Sequence, residues 1–315
     1  IPTPSMLPIV PLSYQEQSAI CSDEDQAITY LVQHGMIVIP DSCPHCGGNL
    51  ISHSPDAWKT LKCTTRVCRA SVSVLARSFF TGLRMPFSKL LHMCALWVNE
   101  VNAKGVIGLL KCNARTVQLW YNRIGDVVAW DTHSSGTDER IGGEGIVVEI
   151  DESKFGKRHG NVGHRVQGQW VLGGVARTPE REVFLQTVGN RNANTLLAVI
   201  TEHVLPGSII YVDCWGGYQE DEMLEAGFER EAVNHTYHFK DPVTGVHINT
   251  IEGTWNGIKM HIPPRKYTPQ LLQGKLFEFI WRRRHAGMLW ERLMTIFARL
   301  ITDWEWDADS DSSDE

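Results

Sequence analysis

The sequence predicts an α/β protein whose second half folds around one mixed sheet, behind a small cysteine-bearing module and an all-helical one. Three observations carry this. Beyond residue 145, short apolar runs near 145–151, 168–177, 182–188, 208–213 and 230–235 read as strands, and the later ones alternate with helical segments at 195–203, 220–226 and 250–261. Residues 87–130 show helical periodicity throughout. Ahead of them four cysteines fall in two close pairs, Cys43 with Cys46 and Cys63 with Cys68. At 315 residues the chain has room for two or three such modules.

Residues 1–21 carry Pro2, Pro4, Pro8 and Pro11 and are expected to form an extended leader. The next module spans 22–80. Ser22, followed by Asp23, Glu24 and Asp25, is a helix start and Gly35 a stop, with Ala27, Ile28, Leu31 and Val32 between them at helical spacing. Cys-Pro-His-Cys-Gly-Gly (43–48) is a knuckle in which two thiolates share a tight turn and the glycines leave room for backbone amides to face sulfur. Two knuckles make a tetrahedral ribbon, so Cys43, Cys46, Cys63 and Cys68 are candidate ligands of one structural Zn²⁺. The second pair is spaced Cys-x₄-Cys, wider than the usual Cys-x₂-Cys, which leaves His45 and His53 as alternative ligands. Unpaired core thiols or a disulfide are the competing readings. Cys21, Cys94, Cys112 and Cys214 show no ligand spacing.

Residues 81–130 read as a helical module: a segment at 87–101, a short one at 106–111, and a longer helix capped by Asn113. Val117, Trp120, Tyr121, Ile124 and Val128 line one face of the last. Two short helices before a longer one suit a helix-turn-helix, in which Arg115, Gln118, Asn122 and Arg123 face outward toward phosphates and base edges. A plain helical spacer with a solvated face is the alternative. Residues 131–144, rich in Ser, Gly and charge, read as a linker.

The mixed-sheet domain is placed at 145–290. Three antiparallel strands followed by alternating helices and strands is the RNase H-like order. A long helical region follows residue 268, a C-terminal helix occupies 291–302, and 303–315 is an acidic, low-complexity tail read as disordered. That tail explains the net charge of −6: without its seven acids, 29 acidic and 30 basic residues leave +1. The overall charge therefore does not exclude a nucleic-acid substrate. No apolar stretch approaches the roughly 20 residues of a membrane span, and the start Ile-Pro-Thr-Pro-Ser-Met shows no signal-peptide pattern.

Three carboxylates stand out within this domain. Asp151 ends the apolar run 145–150, Asp213 ends 208–212, and Glu252 opens a helix-like segment. Two aspartates at adjacent strand ends and a third acid on a helix can hold two divalent metals about 4 Å apart, the arrangement that drives in-line displacement at a phosphodiester. Oxygen-only ligation suits Mg²⁺ or Mn²⁺. The alternative is structural: Asp as a turn or cap residue, Glu as a partner of the helix dipole.

The strings Asp-Glu-Ser-Lys-Phe-Gly-Lys-Arg (151–158), Gly-Gln-Trp-Val-Leu-Gly-Gly-Val (168–175), Val-Asp-Cys-Trp-Gly-Gly-Tyr (212–218), Val-Asn-His (233–235) and Asp-Pro-Val-Thr-Gly-Val-His-Ile-Asn-Thr-Ile-Glu-Gly-Thr-Trp (241–255) resemble the Merlin superfamily of DDE transposases, with its ISXO-type insertion-sequence transposase domain. The upstream Cys-Pro-His-Cys-Gly-Gly belongs to the same pattern, so the resemblance covers roughly residues 25–290. It implies an RNase H-like fold with Asp151, Asp213 and Glu252 as catalytic acids holding two Mg²⁺ or Mn²⁺. The implied reaction is cleavage of double-stranded DNA at terminal inverted repeats, then attack of the freed 3′ hydroxyl on target DNA by a homo-oligomer. Location follows the source: nucleus in a eukaryote, cytoplasm or nucleoid in a bacterium, and not secreted.

Around those acids, Glu149 shares the face of Asp151 and is expected to be a supporting hydrogen-bond partner, while Glu152 points to the other face. His235 and His247 sit behind the ligands, contact DNA, or are structural. Trp215, Tyr218 and Trp255 read as packing. Lys154, Lys157, Arg158 and Arg165, and then Lys259, Arg265 and Lys266, flank the acidic motifs and are expected at phosphates. Arg282, Arg283 and Arg284 contact DNA, pair with local acids, or form an import patch. Two other functions compete: a domesticated, transposase-derived DNA-binding protein without mobility, and an RNase H-like endonuclease.

Overall fold

The computed structural model describes residues 7–52, 59–76, 78–134, 140–156, 168–213, 220–233 and 247–303. It divides into two compact units, Ile1–Ile124 with Gly287–Glu315, and Gly125–Ala286. No described helix is long and apolar enough to cross a membrane.

The first unit opens with α1 (Tyr14–Ser22), where the prolines upstream had suggested an extended leader. Those prolines end at Pro11, and a capping box begins directly after them. Glu16 N–H donates to Ser13 Oγ at 3.3 Å while Ser13 N–H donates to Glu16 at 2.7 Å. Helix α2 (Glu24–Gln33) is capped by Asp23. Three short antiparallel strands follow, β1 (Leu50–Ile51), β2 (Thr60–Cys63) and β3 (Ser71–Ser73), in the order β1-β2-β3. Helix α3 (Phe87–Val98) begins at Pro86, which offers no side-chain cap. Glu24 supplies one from α2, accepting the Phe87 and Ser88 amides at 2.9 Å each. Phe79 stacks on Phe297 of α10 (Leu289–Asp303) at 3.9 Å between ring centroids, and Phe80 meets Phe87 edge-on.

Helix α4 (Ala103–Leu110) ends at Lys111, whose left-handed backbone (φ 48°) turns the chain. Asn113 then opens α5 (Ala114–Ser134), accepting the Arg115 amide at 2.8 Å as the sequence suggested. Because α5 runs to Ser134, the expected linker at 131–144 starts inside a helix, and Asp131 and Thr132 are buried.

The second unit holds the mixed sheet: β5 (Val147–Phe155), β6 (Gln169–Ala176), β7 (Val183–Val188), β9 (Ile209–Asp213) and β10 (Glu229–Val233), in the order β10-β9-β5-β6-β7. Strands β5, β6 and β7 are antiparallel, while β9 pairs in parallel with both β5 and β10. A two-stranded parallel pair, β4 (Ile141–Gly142) with β8 (Val204–Leu205), was not foreseen, because two-residue strands carry no periodicity. The alternation of each strand sorts residues onto two covered faces. Val148, Ile150, Leu172, Phe184, Ile210 and Val212 pack in one cluster with Leu196 and Ile200 of α6 (Ala193–His203) and Met223 of α7 (Glu220–Glu225). Phe155, Val171, Val175 and Leu185 pack on the other side with Ile251, Trp255 and Ile258 of α8 (Asn249–His261) and Leu272 and Leu276 of α9 (Pro269–Arg284). Gly173 permits that second packing. A Cβ there would lie 2.6 Å from the Trp255 ring, so only glycine lets α8 settle this close to the sheet.

Candidate active site

Asp151 is not at a strand end. Strand β5 continues to Phe155, and Asp151 pairs with Gly173 in its middle, whereas Asp213 closes β9 as expected. The parallel register sets Glu149 opposite Tyr211. Asp151 and Asp213 follow two residues further along each strand, so alternation turns both toward the face that α8 covers. Burial pushes the Asp151 carboxyl up to about 7, against the pull of an indole hydrogen bond, with the charges of Glu152 and Asp213 adding to the rise. That bond is Trp255 Nε1 donating to Asp151 Oδ2 at 2.9 Å. Trp255 was expected only to pack. It packs and also orients the acid, consistent with the need of a buried indole N–H for a partner.

Glu252 lies in the first turn of α8, exposed. It does not close with the aspartates into a cluster of metal-ligating atoms; among the described residues only the four cysteines do. The position of its helix is set by Glu149. Helix α8 starts at Ile248 without a side-chain cap, and the fully buried Glu149 carboxylate replaces one from β5. It accepts the Thr250 amide (2.7 Å), the Thr250 hydroxyl (2.8 Å) and the Ile251 amide (2.9 Å). Arg177, just past β6, donates its Nε to the same carboxylate at 2.6 Å and its Nη2 to the His247 carbonyl oxygen at 2.6 Å. His247 Nδ1 lies 2.7 Å from that guanidinium and 3.4 Å from the Asn249 amide, two donors that it can accept from. Glu149 thus makes the supporting hydrogen bonds the sequence suggested, and His247 joins its network through Arg177. Arg177 was missed: an arginine following a strand looks like ordinary surface.

Glu152 points to the opposite face, 3.9 Å from Arg191. Lys154 lies 5.3 Å from the Trp170 ring centre and Lys259 5.7 Å from that of Phe155, both on elements carrying the acids. Lys157, Arg158, Arg165, Trp215, Tyr218, His235, Cys214, His53, the Arg265 side chain and the acidic tail beyond residue 303 lie outside the described residues.

On α5, Arg115, Gln118 and Asn122 are exposed, and Gln118 donates to Asn122 at 2.6 Å. Arg123 does not face outward as expected. Its guanidinium donates to the Thr81 carbonyl oxygen at 2.7 Å and lies over the Trp120 ring at 5.0 Å, because the 79–81 segment covers that side of the helix. Within the run 282–284, Arg282 is buried against Glu278 at 3.2 Å.

The four cysteine sulfurs lie within 4.8 Å of one another, with Cys43–Cys68 at 3.8 Å and Cys46–Cys63 at 3.4 Å. Tetrahedral zinc with sulfur at about 2.3 Å needs separations of roughly 3.8 Å, so the set can hold a zinc ion. The wider Cys-x₄-Cys spacing is absorbed by a turn in which the Cys68 amide donates to Thr65 O at 3.0 Å. Gly48 donates its amide toward Cys46 and, with the Thr65 hydroxyl and Cys63, draws that thiol down to about 6. A Cβ at Gly48 would collide with the Thr65 hydroxyl, which gives the knuckle glycine its reason.

Residues 141–283 match the ISXO2-like transposase domain. An uncharacterized transposase-like protein of Haemophilus influenzae is 35% identical over 81 residues, which cover 26% of this chain and 63% of the relative. The chain therefore spans somewhat less than two thirds of that relative's length.

Proposed function

We propose that this chain, whose residues 141–283 are an ISXO-type transposase domain, is a DDE transposase that cuts double-stranded DNA at transposon ends and joins the freed end to a target. The observation that carries the reading is that Asp151 and Asp213 stand on adjacent parallel strands, close enough for the Asp213 charge to act on Asp151, with the helix bearing Glu252 fastened to the same strand through Glu149. Three antiparallel strands, two parallel ones and helices on both faces support an RNase H-like fold for this domain.

The donor chemistry fits hard divalent cations: paired carboxylates, one of them driven toward protonation by burial and then by neighbouring charge, gain from a cation between them. Asp151, Asp213 and Glu252 would hold two Mg²⁺ or Mn²⁺, which when bound activate a water or 3′ hydroxyl and stabilise the leaving oxygen. Trp255 leaves one Asp151 oxygen for that purpose while holding the other. Lys259, with Lys157 and Arg158, neutralises phosphates beside the acids, while Lys154, set by alternation on the opposite face with Glu152 and Trp170, contacts the backbone away from them. Arg115 and Gln118 on α5 contact DNA in a helix-turn-helix built from α4 and α5, whose left-handed turn at Lys111 supports this. The cysteine cluster carries one structural zinc. Strand transfer requires two ends to be held together, so the acting species is a homo-oligomer.

Nicking of supercoiled plasmid in Mn²⁺ tests the reading. The parent chain is expected to nick, and Asp213→Ala to reduce the rate by ~10³-fold while retaining the parent's melting temperature. Equal rates would remove Asp213 from the chemistry. DNA binding without nicking in the parent would favour a domesticated binding protein.

A further inference from the structure

A groove of about 470 Å³ runs along one flank of α8, lined by Asn249, Gly253, Gly257 and, from neighbouring elements, Phe279, Arg181 and Arg283. Helical periodicity places Glu252 and Lys259 on the other side of the stripe formed by Ile251, Trp255 and Ile258, which faces the sheet. We propose that Arg181 and Arg283 clamp a DNA backbone phosphate in this groove, a second contact on the helix that carries Glu252. The proposal rests on the DNA-processing function above.

Three features of the groove support it. The first is charge: two guanidiniums line it, and no carboxylate is among its described lining residues. Glu180 and Glu182 line an adjoining cavity, which Arg283 shares with Arg140 and Arg284. The second is the closeness of the two cations. Arg283 Nε donates to the Arg181 carbonyl oxygen at 2.9 Å, which holds both residues at one edge of the groove. Burial, and then the Arg181 charge, make the protonated Arg283 less favourable than usual. A phosphate between them relieves that repulsion and matches the planar donor fork of arginine.

The third is backbone. Arg181 closes the turn between β6 and β7 with φ 51°, its amide donating to Thr178 O at 3.1 Å. A side chain in this left-handed region carries strain that glycine would avoid, yet a long cationic one stands there. On the opposite wall, a Cβ at Gly253 would meet nothing within 4 Å, so the α8 backbone is open to close approach by a polymer.

Duplex DNA of about 25 bp, titrated with the full chain across a salt series, tests the clamp. Arg181→Gly and Arg283→Gln are each expected to flatten the slope of log K against log salt by about 1. Arg181→Lys should keep the parent slope. Arg181→Gly also relieves the turn, so its melting temperature should equal or exceed the parent's, which separates lost binding from lost folding. Parent-like slopes in both charge-removing variants would overturn the clamp alone. A parent chain that binds no DNA would overturn both the clamp and the function beneath it. Inorganic phosphate that raises the melting temperature of the parent but not of the variants, with DNA slopes unchanged, would assign the pair to a small anion and overturn the clamp as well.

Discussion

Glu149→Ala is expected to destabilise the Gly125–Ala286 unit by roughly 3–5 kcal/mol and to abolish DNA cleavage, although Glu149 contacts no substrate in the proposed chemistry. Its carboxylate is fully buried and accepts four hydrogen bonds, from Arg177 Nε, the Thr250 amide, the Thr250 hydroxyl and the Ile251 amide. Truncation leaves a guanidinium and two helix-start amides without that acceptor. Stranded groups of this kind cost far more than the net worth of one bond. Helix α8 has no cap of its own at Ile248 to compensate, so its first turn, which carries Glu252, loses its anchor. Glu149→Gln keeps the shape and one acceptor oxygen but turns an NH₂ toward Arg177 or the helix. A loss of roughly 1–3 kcal/mol is expected for it. Urea unfolding followed by tryptophan fluorescence measures both. A Glu149→Ala protein with the parent's midpoint would show that α8 is held by its apolar face alone.

In the absence of added divalent cation, stability should fall as pH rises from about 4 to about 7, and much of that fall should vanish in Asp151→Asn. The sign follows from the direction of the shift. Folding raises the Asp151 carboxyl from an ordinary 3.8 to about 7, chiefly by burial. Below pH 4 both folded and unfolded chains hold the proton, and the stabilising contribution is fully present. Between the two values the unfolded chain releases it while the folded one retains it. Above pH 7 the folded chain must carry the charge, and the contribution is gone. One pKa unit is worth about 1.4 kcal/mol, so about 4 kcal/mol is an upper bound, reduced because the side chain is only partly shielded from water. Added Mg²⁺ should restore the parent at pH 8 by replacing the proton, and should leave Asp151→Asn unchanged. Melting temperatures of the two proteins from pH 5 to 8.5 give the comparison, without chelator so that the cysteine site is undisturbed. Parallel curves for parent and variant would contradict the assignment.

Strands and helices of the second unit were legible because their signals are local. Apolar runs of six to ten residues and helical periods at 195–203 and 250–261 need no knowledge of the rest of the chain, and the structure places helices at Ala193–His203 and Asn249–His261. The cysteine cluster was legible from spacing, with the turn at Thr65–Cys68 explaining why a wider second pair still closes. Glu149 was legible as a supporting residue through strand alternation. Its partners were not, because Arg177 lies 28 positions away and the helix donors 101 and 102, although an uncapped helix start at Ile248 was a clue that a cap must come from elsewhere. Helix α1 was hidden by the prolines before it, yet Ser13 and Glu16 carried a sufficient local signal. Arg123 was misplaced for a different reason. A helical wheel knows only its own helix, and the 79–81 segment that covers Arg123 lies outside it.

Calorimetric titration of the zinc-loaded full chain with Mn²⁺ at pH 8 tests most directly whether the three acids share cations. The parent should bind, and Asp151→Asn, Asp213→Asn and Glu252→Gln should each weaken that binding by about tenfold or more, equivalent to at least about 1.4 kcal/mol. Three variants that titrate like the parent would contradict it.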